Sequence, residues 1–204
     1  MNIRNEILEP DAFYHIYNRG INSEKIFATE ENYLFFLSKF KTYLNPVCEV
    51  FAYCLMPNHF HFLIKVKSEN EIKTFVKDFD DAVTKQEKGL HAFDSIVSKQ
   101  IGKFISSYSQ AYNRVANRHG PLLESPFKRK RVINEEYLRN LIIYIHLNPI
   151  NLKQNYKTYF FSSYKAILSR DKKNLRREEI VAVFGDVDNF IYSHNYPPKF
   201  DFKF

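Results

Sequence analysis

Residues 47–66 read VCEVFAYCLMPNHFHFLIKV, two runs rich in β-branched and aromatic side chains separated by Pro57-Asn58. Runs of this composition pack well on a pleated surface, and a Pro-Asn pair between them favours chain reversal. The stretch is therefore predicted to be a β-hairpin, with strands over Val47–Met56 and His59–Val66. In the second strand His59 and His61 flank Phe60. Side chains of a strand alternate faces, so both imidazoles project to one side with backbones roughly 6.6 Å apart, while Phe60, Phe62 and Ile64 anchor the opposite side in a core. Two imidazoles on one face can grip a divalent ion, or can be an ordinary solvated or hydrogen-bonded pair. The strand alone leaves both readings open.

Upstream, Ala12–Asn18 is aromatic and β-branched and ends at Arg19-Gly20, which predicts a first strand closed by a turn. Thr29 can cap a helix whose apolar residues Tyr33, Phe36, Leu37, Phe40 and Leu44 follow the helical period until Asn45-Pro46 stops it. Downstream, Ser68–Lys88 is polar with Ile72, Phe75, Val76 and Phe79 on one face, the pattern of an amphipathic helix. A second long helix is predicted over Ser98–Arg118, where Ile101, Phe104, Ile105, Tyr108, Tyr112 and Val115 recur at helical steps before Gly120-Pro121. Phe127–Ile133 carries Lys128-Arg129-Lys130-Arg131, which fits a charged edge strand or a basic loop. Glu135–Leu147 is strongly helical and is closed by Asn148-Pro149.

The order βαββ, helices, β and α predicts an α+β fold, a ferredoxin-like βαββαβ antiparallel sheet with helices on one face and a C-terminal helical extension. With 204 residues the chain is expected to form one domain. Residues 1–153 would hold the sheet, 68–100 a helical insertion, and 154–204 an extension packed on the same domain. That extension comprises an aromatic segment over 156–168, a charged stretch over 170–179 and a short apolar helix near Ile180–Phe184.

Apolar residues make up 45% of the chain and aromatic residues 17%, too many for a disordered segment, yet no apolar run reaches membrane-span length. A formal charge of +7 favours a polyanionic partner. Cys48 and Cys54 lack CxxC spacing, so a zinc finger or disulfide framework is not expected. The N-terminal segment shows no apolar stretch of signal-peptide length, and the expected location is cytoplasmic.

Two histidines rarely complete a metal site. In Tyr144-Ile145-His146-Leu147-Asn148, Tyr144 and Asn148 stand at i and i+4, so a phenol and an amide oxygen share one helical face and can approach one metal-bound phosphate. The alternatives are a core tyrosine among Leu141, Ile142, Ile143 and Ile145 and an ordinary helix terminator before Pro149.

Met56-Pro57-Asn58-His59-Phe60-His61-Phe62-Leu63-Ile64 followed by Tyr144-Ile145-His146-Leu147-Asn148-Pro149 resembles the single-tyrosine HUH transposases, especially the REP-associated tyrosine transposases of bacteria. Phe13–Gly20, Phe127-Lys128-Arg129 and Phe161-Ser162-Ser163-Tyr164 are similar to family signatures too, so the resemblance covers about residues 11–168. It implies that His59 and His61 bind Mg²⁺ or Mn²⁺, that Asn148 supplies the third ligand, and that Tyr144 is the nucleophile. It further implies single-stranded or hairpin DNA as partner, 5′-phosphotyrosine chemistry, no membrane association, and a bacterial, nucleoid-associated location. A homodimer and a monomer both stay open.

For DNA phosphates the sequence offers Lys128, Arg129, Lys130 and Arg131, with Arg114 and Arg118 from the preceding helix and Arg19 after the first strand. Tyr14, Tyr17, Tyr108 and Tyr112 fit base stacking or, at their periodic positions, core packing. His15, His91, His119, His146 and His194 show no ligand spacing and receive no role. The chain departs from the family pattern in its long polar segment 68–100 and in lacking a glycine after Asn148-Pro149. A noncatalytic nucleic-acid-binding regulator on the same sheet, or a hydrolase that activates water, are the competing functions.

Overall fold

The structure is a computed structural model describing residues 6–77, 93–169, 175–200 and 202. Its frame is a four-stranded antiparallel sheet in the order β2-β3-β1-β4, with β1 Phe13–Arg19, β2 Cys48–Met56, β3 His59–Val66 and β4 Lys128–Arg131. The helices are α1 Glu30–Tyr43, α2 Glu69–Lys77, α3 Phe93–Val115, α4 Glu135–Leu147, α5 Tyr164–Leu168, α6 Arg177–Phe184 and α7 Val187–Asn195. Read as β1-α1-β2-β3-α3-β4, the first part has the connectivity of the expected ferredoxin-like unit. The basic run is an edge strand rather than a loop.

The two central strands are buried on both faces, and the alternation of their side chains divides the interior. Tyr14 and Ile16 of β1 and Phe60, Phe62, Ile64 and Val66 of β3 join Phe36 and Phe40 of α1 and Ile101, Phe104 and Tyr108 of α3 in one core. Leu63 of β3 faces the other way, into a second core with Leu141, Ile142, Ile143 and Ile145 of α4 and Ile180, Phe184 and Phe190 of the C-terminal helices. Helices on one face thus describes α1 and α3. In addition, α4 and the C-terminal helices cover the opposite face, because α4 is apolar on more than one side and needs a sheet to bury against.

Helix α1 begins as the sequence suggests: the Asn32 side chain accepts from the backbone N–H groups of Ala28 and Thr29 at 3.0 and 3.1 Å. Helix α4 begins where Asn134 accepts from Tyr137 N at 2.7 Å and continues into a 3₁₀ turn over Asn148–Leu152. α3 starts earlier than its periodic run and ends at Val115. The described part of the 68–100 segment is helical over Glu69–Lys77 and again from Phe93, and the remainder of that predicted insertion lies outside the described residues. Helix α7, with no apolar run long enough to announce it, is an addition to the single terminal helix expected near 180–184.

β2 contains a bulge between Val50 and Ala52. Before it Cys48 and Val50 face α1, and after it Tyr53 and Leu55 do. Phe51, Ala52, Cys54 and Met56 belong to the α4 side. The outer edge of β2 is capped by residues 161–163: Leu55 N donates to Phe161 O at 2.9 Å and Ser163 N to Tyr53 O at 3.0 Å. An edge covered in this way is closed to further strand pairing.

Gly20 follows β1 where the chain turns sharply. A Cβ there would lie 2.2 Å from the backbone oxygen of Glu24 and 3.0 Å from Ile26 Cγ2. The carbonyl belongs to backbone and has no rotamer with which to yield, so Gly20→Ala is expected to destabilise the fold by about 1–3 kcal/mol. An unchanged midpoint in urea denaturation would show that the turn relaxes freely.

Candidate active site

The face of the sheet turned toward α4 carries the odd-numbered residues of β1 and β3. His59 and His61 stand there together, their rings edge to face with centroids 5.2 Å apart. Antiparallel pairing places Tyr17 opposite His61. Tyr17 is buried beside it, with ring centroids 5.9 Å apart. From α4 the Tyr144 ring meets His61 at 5.6 Å and 86°. Two stretches some 80 residues apart are thereby joined: β3 in the middle of the sheet supplies the imidazoles, and α4, packed across β2 and β3, supplies the phenol.

Asn148 closes this group. It is almost wholly buried at the end of α4 and its Nδ2 donates to Tyr144 O at 2.9 Å. Its carboxamide also makes polar contacts with the His59 ring and the Tyr144 hydroxyl, which shift the titration of each. With Nδ2 committed to the helix backbone, Oδ1 is the carboxamide atom suited to act as an oxygen donor.

Each histidine is held from its Nδ1 side. His59 Nδ1 is 2.7 Å from Asn58 Oδ1, and His61 Nδ1 is 2.9 Å from His15 Nε2. Burial pushes the pKa of both rings down, His61 well below the usual range; neighbouring His15 and His59 add to the effect on His61, and Arg19 adds to it on His59 against the Asn148 bond. His15 is pushed down to about 3 by burial and then by the charge of Lys130. Neutral imidazoles keep a lone pair, the form a cation requires. Burial raises the Tyr144 pKa, opposed by its bond to Asn148. The phenol is thus protonated at neutral pH.

Tyr144 is half-buried, and residues near the C-terminus pack on its ring: Phe200 at 6.0 Å and Phe202 at 5.1 Å, both edge-on. Behind it lies a buried chain of polar contacts. His146 Nδ1 is 2.9 Å from His194 Nε2, His146 Nε2 is 2.8 Å from Ser163 Oγ, and His194 Nδ1 is 2.7 Å from Phe190 O. Ser163 Oγ in turn accepts from Tyr53 N at 2.9 Å. These groups pin α4, α5, α7 and β2 to one another, and none of them reaches the surface.

The cations expected to contact phosphates are divided rather than gathered. In β4, Lys128 lies over the Tyr17 ring at 5.9 Å and Lys130 over the Tyr137 ring at 5.3 Å, on the face of the histidines. Arg129 reaches Ser98 of α3 and Arg131 pairs with Glu9, on the opposite face. Arg19 is near His59 and pairs with Glu124, as does Lys128. Arg118 pairs with Glu24, and Arg114 is exposed at the end of α3. The fold therefore brings Arg19, Lys128 and Lys130 to the histidine face and leaves Arg114, Arg118, Arg129 and Arg131 away from it.

On sequence alone His15, His146 and His194 receive no role, and Tyr17 is only a stacking or core candidate. His15 and Tyr17 share a face by strand alternation, as His59 and His61 do, and only the pairing of β1 with β3 brings the two pairs together.

Comparison with known proteins gives a concordant result. Residues 10–89 match the family described as IS200-like transposases, a span that includes both histidines and ends before α4. The fold is similar to that of a solved REP-associated tyrosine transposase bound to a REP hairpin, with 16% identity and a TM-score of 0.55 over 83% of this chain and 87% of that one. No curated protein matches the chain by sequence. The α+β sheet is open, not a closed barrel. Among the described residues no helix is long and apolar enough to cross a membrane, and no three His, Cys, Asp or Glu side chains converge on one point.

Proposed function

We propose that the chain is a transposase-type nuclease that cuts and rejoins single-stranded DNA, in repeats able to form hairpins, through a 5′-phosphotyrosine on Tyr144. The observation that carries the reading is the meeting of His59 and His61 with Tyr144 and Asn148, remote in sequence, on one face of the sheet. The family match over residues 10–89 and the likeness to a transposase solved with a hairpin support it.

His59 and His61, through Nε2, and Asn148, through Oδ1, would hold Mg²⁺ or Mn²⁺; two imidazoles and one amide oxygen suit a divalent ion with positions left for phosphate oxygens and water. Bound there, the cation would offset charge on the non-bridging oxygens of the scissile phosphate. The chain's own groups do the rest. Asn148, in polar contact with the Tyr144 hydroxyl, would orient it. As the phenolic oxygen forms its bond to phosphorus its proton passes to water, the bond from phosphorus to the 3′ oxygen breaks, and that oxygen takes a proton from water and leaves as a 3′-hydroxyl. The phosphotyrosine conserves the diester, so a 3′-hydroxyl can attack it and release Tyr144, rejoining strands with no external energy source.

The test uses an end-labelled, hairpin-bearing oligonucleotide, Mn²⁺ and denaturing electrophoresis. A covalent band carrying the strand 3′ of the break is expected, with the modified peptide mapping to Tyr144. Free cleaved products without an adduct would assign attack to water, and binding without cleavage would leave only a DNA-binding protein.

The placement of the basic residues yields a second expectation. Lys128 and Lys130 lie on the histidine face, so replacing both with alanine should weaken single-strand binding and reduce the slope of log K against log[salt] by about 1.4, near 0.7 for each phosphate no longer neutralised. Alanine at Arg129 and Arg131 should change the slope little. Equal effects from the two pairs would refute this orientation of the DNA.

A further inference from the structure

We infer that His15 is a positioning residue for the metal centre: it accepts the Nδ1–H of His61 and so fixes the ring with Nε2 as its cation-facing nitrogen. This rests on the proposed reading of His59 and His61 as ligands.

The geometry is that of an in-plane hydrogen bond. His15 Nε2 and His61 Nδ1 are 2.9 Å apart, the ring planes differ by 18°, and the centroids are 5.1 Å apart. His15 is fully buried, and the Tyr17 ring stacks near it at 4.6 Å and 23°, which restrains rotation of the imidazole. Both residues sit on β1, whose register against β3 sets Tyr17 opposite His61. His15 thus belongs to the sheet's rigid centre.

Proton bookkeeping supplies the direction of the bond. A neutral imidazole has one N–H and one lone pair. His59 Nδ1 faces Asn58 Oδ1, an atom that only accepts, so His59 carries its proton on Nδ1 and its lone pair on Nε2. For His61 to offer a cation the same nitrogen, its proton must also sit on Nδ1, and His15 Nε2 must then be the acceptor. The opposite direction, His15 donating, would place a proton on His61 Nε2 and block coordination. Outer partners of this kind fix the tautomer and raise the basicity of a ligating histidine.

The test measures Mn²⁺ binding to the full chain by calorimetry, independently of DNA cleavage. His15→Phe keeps a ring and removes the acceptor; Mn²⁺ affinity should fall about 10–100-fold. His15→Gln, which restores an acceptor, should recover most of the loss. His61→Ala is the control for the ligand itself. If the parent binds Mn²⁺ and His61→Ala does not, yet His15→Phe binds as the parent does, the positioning role is wrong and the metal reading stands. If the parent binds no Mn²⁺, the metal reading fails and this inference fails with it. The tautomer can be read without any variant, by long-range ¹H–¹⁵N NMR of the Mg²⁺-loaded parent. A proton on His61 Nδ1 with unprotonated His15 Nε2 is expected, and a proton on His61 Nε2 overturns the inference.

Discussion

Tyr144→Phe is expected to lower strand cleavage by roughly four orders of magnitude or more and to abolish the covalent protein–DNA species, while leaving the fold intact. Only the hydroxyl is removed. The ring's edge contacts with His61, Phe200 and Phe202 depend on its shape and are kept by phenylalanine. Asn148 loses one polar contact but retains its bond to the Tyr144 carbonyl and its contact with His59. The cost in stability should therefore be about 1 kcal/mol, the usual net worth of one such bond. The comparison that matters is between Mn²⁺ binding, which should persist, and adduct formation, which should vanish. An adduct surviving at full rate in this variant would move the nucleophile elsewhere.

Acidification should unfold the protein through its buried histidines, and His194 alone is expected to contribute roughly 3 kcal/mol. Burial lowers its pKa to about 4, against the bond to Phe190 O, from an ordinary value of 6.5. At 1.36 kcal/mol for each unit the difference gives that figure. The folded state is the poorer proton acceptor. Its stability is thus fully present above pH 6.5, is lost progressively as pH falls toward 4, and falls no further on account of this residue below that. His194→Gln leaves an acceptor for His146 Nδ1, which stands 2.9 Å away, and removes the titration. Proton uptake on unfolding near pH 5, obtained from urea midpoints across pH, should drop by about one. An unchanged pH dependence in His194→Gln would mean that His194 is already charged in the folded protein.

Much of the site was visible in local pattern. His59-Phe60-His61 on a strand and Tyr144 with Asn148 on a helix each follow from a two-residue or four-residue spacing, and the hairpin follows from Pro57-Asn58. What local pattern could not supply is the contact between them, since it depends on α4 crossing the sheet on the side away from α1 and α3. His15 carries no local signal for a related reason. Its partner lies 46 positions away, and only the pairing of β1 with β3 brings them together. His194 and His146 are further still from any spacing rule, being joined through the packing of α7 on α4. The basic run shows the converse. Read as one cluster it suggested a single DNA surface, whereas once Lys128–Arg131 is a strand its alternation sends Lys128 and Lys130 one way and Arg129 and Arg131 the other.

The bulge in β2 makes the parity of that strand a structural variable. Up to Val50 the even positions point toward α1; from Tyr53 onward the odd ones do. Phe51 is the extra residue, so excising it would leave Val50 against Ile64 and Ala52 against Leu63, restore simple alternation and keep Tyr53 and Leu55 toward α1 with Cys54 and Met56 toward α4. Inserting one residue between Ala52 and Tyr53 would instead reverse those four side chains, whereas the same insertion in an exposed loop would do little. Loss of one residue should accordingly be tolerated at that point far better than gain of one.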